Sequence, residues 1–156
     1  MQTPNHKFFL LKRKKQSQIT QSVAWYISCL LLTFHVQADN LTLPTDPVIA
    51  AGDINITSAL GQMQINQASQ SGIINWQSFS IGRDASVNFQ QPSANAITLN
   101  RVTGGSPSSI LGQMSANGNI FLVNPSGVLF GRGSMVDVGL IVASVSDITD
   151  QNFLSG

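Results

Sequence analysis

From about Asp39 onward, the sequence predicts an all-β chain of short strands. Three observations predict it. Apolar and polar residues alternate over short stretches, the period of a strand with one buried face. Turn and breaker residues, above all Gly, Pro, Asn and Asn-Gly, recur densely between those stretches. No stretch of helical period runs longer than two turns; Ser109–Ser115 could form a single helical turn, weakened by Gly112.

Residues 1–38 read differently. They hold five of the eight basic residues, Lys7, Lys12, Arg13, Lys14 and Lys15. An apolar run follows from Val23 to Val36, and Val36-Gln37-Ala38 places small residues at a cleavage-like exit. A basic start, a short apolar centre and such an exit make a secretory signal peptide. The run is shorter than the ~20 apolar residues a spanning helix needs. The expected domain organisation is thus a signal peptide at 1–38 and one β domain at 39–156.

After the leader, Arg83, Arg101 and Arg132 face seven aspartates, a net charge of −4. The same stretch contains no Lys, Glu, His or Cys. No disulfide, no Ser-His-Asp or Cys-His site and no ordinary zinc or copper site can be built from it. An acidic chain with three scattered arginines argues against nucleic acid as a partner. No cofactor, metal or catalytic residue is expected.

The elements follow in order. Asp39–Ala51, with Pro44 and Pro47, reads as an extended lead-in. Ile54 and Ile56 share a face, and Met63 and Ile65 repeat the pattern after Gly61. Ile74 pairs with Trp76, and Phe79 pairs with Ile81 after a change of phase. Gly82-Arg83-Asp84 turns the chain, and Val87 and Phe89 follow. Ile97, Leu99 and Val102 lead to the breaker Gly104-Gly105-Ser106-Pro107. Ile110-Leu111 is short, and Asn117-Gly118 signals a tight turn. Ile120, Leu122, Val128, Phe130, Val136, Val138, Leu140 and Val142 are expected mostly in the core. Such strands suit a sandwich, a barrel or a β-solenoid. Small residues on apolar faces, Asn at turns and breakers at coil-like spacing favour the solenoid.

The segment Asn119–Gly133, NIFLVNPSGVLFGRG, holds the candidate site. Asn124-Pro125-Ser126-Gly127 matches a type I turn: Asn bonds its own backbone, Pro presets φ and Gly relieves the exit. Ser126 lacks the G-x-S-x-G frame of a nucleophile elbow. Gly131-Arg132-Gly133 lacks the further Gly or Lys of a phosphate loop. Asp53-Ile54-Asn55 lacks the Gly and Glu of a calcium loop. Trp76 is read as core or cap packing, with sugar binding as the sharper alternative. Arg101, beside Asn100, is read as a solvated or ladder-bonded surface residue rather than a recognition hot spot.

GIINWQSFSIG (Gly72–Gly82), the Leu99-Asn100-Arg101-Val102 run and Asn117-Gly118 followed by Phe121-Leu122-Val123-Asn124-Pro125-Ser126-Gly127 also stand in a meaningful order. They resemble the N-terminal secretion domain of filamentous haemagglutinin-type exoproteins, the haemagglutination-activity domain of bacterial two-partner secretion. The likeness runs from about Pro47 to Gly156. Where that family has Asn-Pro-Asn-Gly-Ile, this chain has Asn124-Pro125-Ser126-Gly127-Val128. The resemblance implies a right-handed parallel β-helix with an N-terminal cap and hairpin decorations. It implies recognition by the periplasmic domains of a cognate outer-membrane β-barrel transporter, with Asn124–Val128 as a recognition element or a structural turn, and Asn100, Arg101 and Trp76 as secondary candidates. It also implies a domain truncated at its C-terminal end, whose last coil is uncapped and aggregation-prone, with host-cell or glycan binding carried by regions beyond it. The functional expectation is a secretion-signal module of an exported adhesin or haemagglutinin, folding outside the cell. A polysaccharide-active β-helical enzyme and a purely structural surface protein are the alternatives.

Overall fold

The computed structural model describes residues 40–156, so the expected signal peptide lies outside the described residues. Twelve strands and one short helix follow in order. They are β1 (Val48–Ala51), β2 (Ile54–Ala59), β3 (Gln62–Gln67), β4 (Ser71–Trp76), β5 (Ser86–Gln90) and β6 (Ile97–Val102). Then come β7 (Ser108–Ile110), β8 (Gln113–Ala116), β9 (Asn119–Val123), β10 (Val128–Phe130), β11 (Met135–Asp137), β12 (Leu140–Ser144) and the helix α1 (Asp150–Ser155).

The strands wind into a parallel β-solenoid of about four coils. One side is β3, β5, β8 and β11 in parallel, a second is β4, β6, β9 and β12, and a third is Ile81, β7 and β10. Register stacks like on like. Met63, Val87, Met114 and Val136 form one inward column, and Ile81, Ile110 and Phe130 form another. Each coil thereby hides its neighbour's apolar edge, which no coil could do alone. The anticipated β-helix is present. The helical turn left open at Ser109–Ser115 does not form: β7 and β8 occupy that stretch, and a Cβ at Gly112 between them would meet the carbonyl oxygens of Gly82 and Ala85.

The N-terminal end is closed by antiparallel chain on all three sides. β2 pairs with β3, β1 pairs with β4, and the lead-in runs against the third side. There Thr45 N–H donates to Ser78 O, Gly82 N–H to Thr42 O and Asp84 N–H to Asn40 O. An antiparallel cap ends a parallel stack because its outer edge no longer matches another coil in register. In the β2–β3 hairpin, Leu60 holds φ +39° with its side chain 93% exposed. A branched residue gains nothing in that left-handed, solvated position. Leu60→Asn is therefore expected to stabilise the domain by about 0.5 kcal/mol, read as a higher midpoint in chemical unfolding.

The opposite rim corrects part of the expected core. Ile120 and Leu122 are fully buried. Val128, Val136 and Val138 point inward but remain half-buried, and Phe130 is 40% exposed, because no coil lies over them. Leu140 and Val142 do not face the interior at all. The chain turns a corner at Gly139, whose N–H donates to Gly118 O, and the alternation changes phase there. Ile141 takes the inward place, leaving Leu140 52% exposed.

Candidate functional site

The turn at Asn124 forms the corner between the second and third sides of the third coil. Gly127 N–H donates to Asn124 O at 2.9 Å, closing the turn, and Gly127 has φ +105°, which suits glycine alone. The Asn124 side chain is buried and fully engaged. Its Oδ1 accepts from Ser126 N–H at 2.9 Å. Its Nδ2 donates to Ser106 O at 3.0 Å and to Ser108 Oγ at 2.9 Å. Its backbone N–H donates to Ser144 O at 2.9 Å. Asn124 thus binds the corner of the coil before it and the strand of the coil after it. The breaker Gly104–Pro107 is the floor on which this turn sits, and Ser126 Oγ donates to Gly105 O at 3.0 Å.

Only part of the turn faces solvent. Pro125 and Ser126 are exposed, and Gly127 and Val128 are half-buried. A partner would meet the Pro-Ser edge, while Asn124 holds it in place from within. Ser126→Asn is expected to change stability by less than about 0.5 kcal/mol, since both residues serve such turns. Unfolding midpoints of the two proteins check this.

Trp76 and Asn100 lie inside the solenoid, both fully buried. Trp76 Nε1 donates to Asn100 Oδ1 at 3.0 Å, and Asn100 Nδ2 reaches Phe121 O at 3.4 Å. Trp76 also packs edge-on to Phe79 with ring centres 5.5 Å apart. The indole has no face turned to solvent, so it offers no platform to a sugar. Three successive coils are joined by this pair.

Arg101 points outward from β6 and is not simply a solvated residue. Nη1 donates to Asn75 Oδ1 at 3.1 Å, on the neighbouring strand in register. Nε donates to Asp147 at 2.8 Å, and Nη2 donates to Ile148 O at 2.7 Å and pairs with Asp150 at 2.8 Å. Burial lowers its pKa, but the hydrogen bonds and charges of Asp147 and Asp150 outweigh that, and the net shift is upward. Arginine is cationic at any working pH regardless. Sequence reasoning missed its carboxylate partners.

A polar corner also went unanticipated. Gln91 Nε2 donates to Thr98 Oγ1 at 3.0 Å, and Thr98 donates to Gln67 Oε1 at 2.6 Å, all three being buried. Outside it, the Asn117 side chain exchanges two hydrogen bonds, at 2.6 and 2.7 Å, with the backbone of Gln91 on the preceding coil. The structure brings Trp76 to Asn100 and Arg101 to Asn75, and keeps the Asn124 turn separate from both. Among the described residues there is no cluster of acidic, His or Cys side chains able to hold a metal, and no helix is long and apolar enough to cross a membrane.

Known proteins share this architecture. Residues 39–156 match the family model of the TPS secretion domain. A heme/hemopexin-binding protein of Haemophilus influenzae is 36% identical over 125 residues, 78% of this chain and 14% of that protein. A second heme/hemopexin-binding protein from Haemophilus influenzae is 36% identical over 127 residues, again 78% and 14%. The chain thus spans about 14% of the length of these curated relatives. The crystal structure of the HMW1 secretion domain from Haemophilus influenzae superposes with a TM-score of 0.69 at 28% identity, covering 72% of this chain and 30% of that one. The family consists of secretion domains of exported proteins, not of enzymes; such proteins pass through the periplasm to be secreted or displayed, and their domains engage a cognate outer-membrane transporter. With a solenoid of the same architecture and a family match that runs from residue 39 to residue 156, the chain belongs to the TPS secretion domain family of two-partner secretion.

Proposed function

We propose that residues 39–156 direct export of a large adhesin- or haemagglutinin-type protein, and that the periplasmic domains of its β-barrel transporter read the Asn124–Val128 turn together with neighbouring strands. The observation that carries this is the inequality of the two ends. The N-terminal end is sealed by antiparallel chain, whereas the other rim presents β10, β11 and β12 with Val128, Phe130, Val136 and Val138 incompletely covered. A coil emerging outside the cell would stack on that rim and bury it, and the free energy of stacking would oppose return. The leader at 1–38 would bring the chain to the periplasm.

The role is non-enzymatic on this reading. Host-cell, glycan or haem-protein binding would belong to regions of the exoprotein beyond this domain. The test is export from cells with and without the cognate transporter. Release of the mature chain only when the transporter is present, with residues 1–38 absent by N-terminal sequencing, is the expected outcome. Equal release without the transporter would refute the proposal.

A further inference from the structure

Outward residues of a solenoid sheet normally meet water, yet Ile73, Leu99 and Val123 are buried although they face away from the interior. Their cover comes from the far end of the described chain. Phe153 of α1 is itself buried against them, crosses Phe121 edge-on at 5.5 Å, and is joined by Ile148. Thr149 caps α1 by accepting from Asn152 N–H at 3.3 Å. Residues 147–153 therefore form a strap laid over the second side of the solenoid. Arg101 fastens it through Asp147, Ile148 O and Asp150 while holding Asn75 behind it. The Arg101 side chain is 14% exposed and each aspartate 50%.

We infer that Arg101 is a positioning residue for export: it latches the 147–153 strap across the coils and locks the N-terminal solenoid once the fourth coil has been laid down. The order of assembly follows from where the anchors lie. Asn75 belongs to β4, Arg101 to β6, Phe121 to β9, and the strap follows β12. The latch has no complete seat until all four of these strands are stacked. Unstacking any of them would break the fork of Arg101 or bare the apolar stripe. A half-exposed ion pair is weak by itself. Here one guanidinium serves two carboxylates, a carbonyl and an amide, beside an aromatic contact that excludes water. The inference rests on the proposed transporter-dependent export, in which chain that can slide back is lost.

The test uses Arg101→Gln and, separately, Phe153→Ala in the chain expressed with its transporter. A control, Phe89→Leu, weakens the interior without touching the strap. Hydrogen exchange on the purified proteins is expected to show amides of residues 149–155 losing protection by about tenfold or more in both strap variants while β4, β6 and β9 stay protected. Export of both should fall below that of the control at matched stability. Arg101→Lys, which keeps the charge but not the fork, should recover part of the loss. Export equal to the control with an open strap would overturn the inference, as would a strap that stays closed in both variants or a solenoid that unravels with it in both. Wild-type export that ignores the transporter would instead refute the reading beneath it, so the two failures are distinguishable.

Discussion

Trp76→Ala is expected to lower the stability of the domain by about 4 kcal/mol, the upper range for emptying a large buried site. The indole is fully buried, packs on Phe79 and bonds Asn100. Its loss opens a cavity that the stacked backbone cannot close, since each strand is held in register on both sides. Trp76→Phe separates the two contributions. It keeps most of the ring but leaves Asn100 Oδ1 buried without its donor, at a cost of about 1–3 kcal/mol. Chemical unfolding of the three proteins measures both steps. A loss under 1 kcal/mol for the alanine variant would contradict the packing described above.

Asn124→Ala is expected to cost about 3 kcal/mol. A free-standing turn would lose one side chain to backbone bond. In the folded domain the substitution also strips Ser106 O and Ser108 Oγ of a donor, and Ser126 N–H of its acceptor. Asn124→Asp should cost at least as much, because it keeps the acceptor for Ser126 but turns a buried carboxylate oxygen onto Ser106 O. Export measured beside unfolding separates structure from recognition. Loss of export in proportion to stability makes Asn124 a scaffold. A chain that folds normally but is not exported, obtained by replacing the exposed Pro125 or Ser126, makes the turn's edge a transporter contact.

Most of the strands were legible in the sequence because their rule is local, although alternation alone suited a sandwich or a barrel as well as the solenoid. Ile54, Met63, Ile65, Ile74, Trp76, Val87 and Phe89 alternate within single strands and all turn inward, Ile54 to Phe89 in one core. The turn at Asn124 was equally legible, since four adjacent residues specify it. Phase changes at corners were not. Nothing between Val136 and Val142 announces that Gly139 turns the chain and exchanges inward for outward, so Leu140 was read with the wrong face. Arg101 was read as solvated or ladder-bonded, and its bond to Asn75 is such a ladder; what went unread, for a related reason, is the chain that covers it. Its partners, Asp147 and Ile148, lie 46 and 47 residues further along, and alternation says nothing about which outward residues will be covered. Leu99, apolar but outward, was the available hint: an outward aliphatic on a coil needs a lid.

The register of the stack sets how the cost of folding grows with length. Gln62 pairs with Ser86, Ser86 with Gln113 and Gln113 with Met135, so each strand added to the parallel stack finds its partner one turn back along the chain, never further. The segment that must be closed into a loop is therefore nearly constant from one addition to the next. Loop-closure entropy rises with the logarithm of segment length, and here that length does not rise. A polypeptide of this kind can be extended many-fold while each increment meets the same entropic barrier. Its assembly time should then scale in simple proportion to the number of turns, whereas a fold with distant pairings slows as contact order climbs.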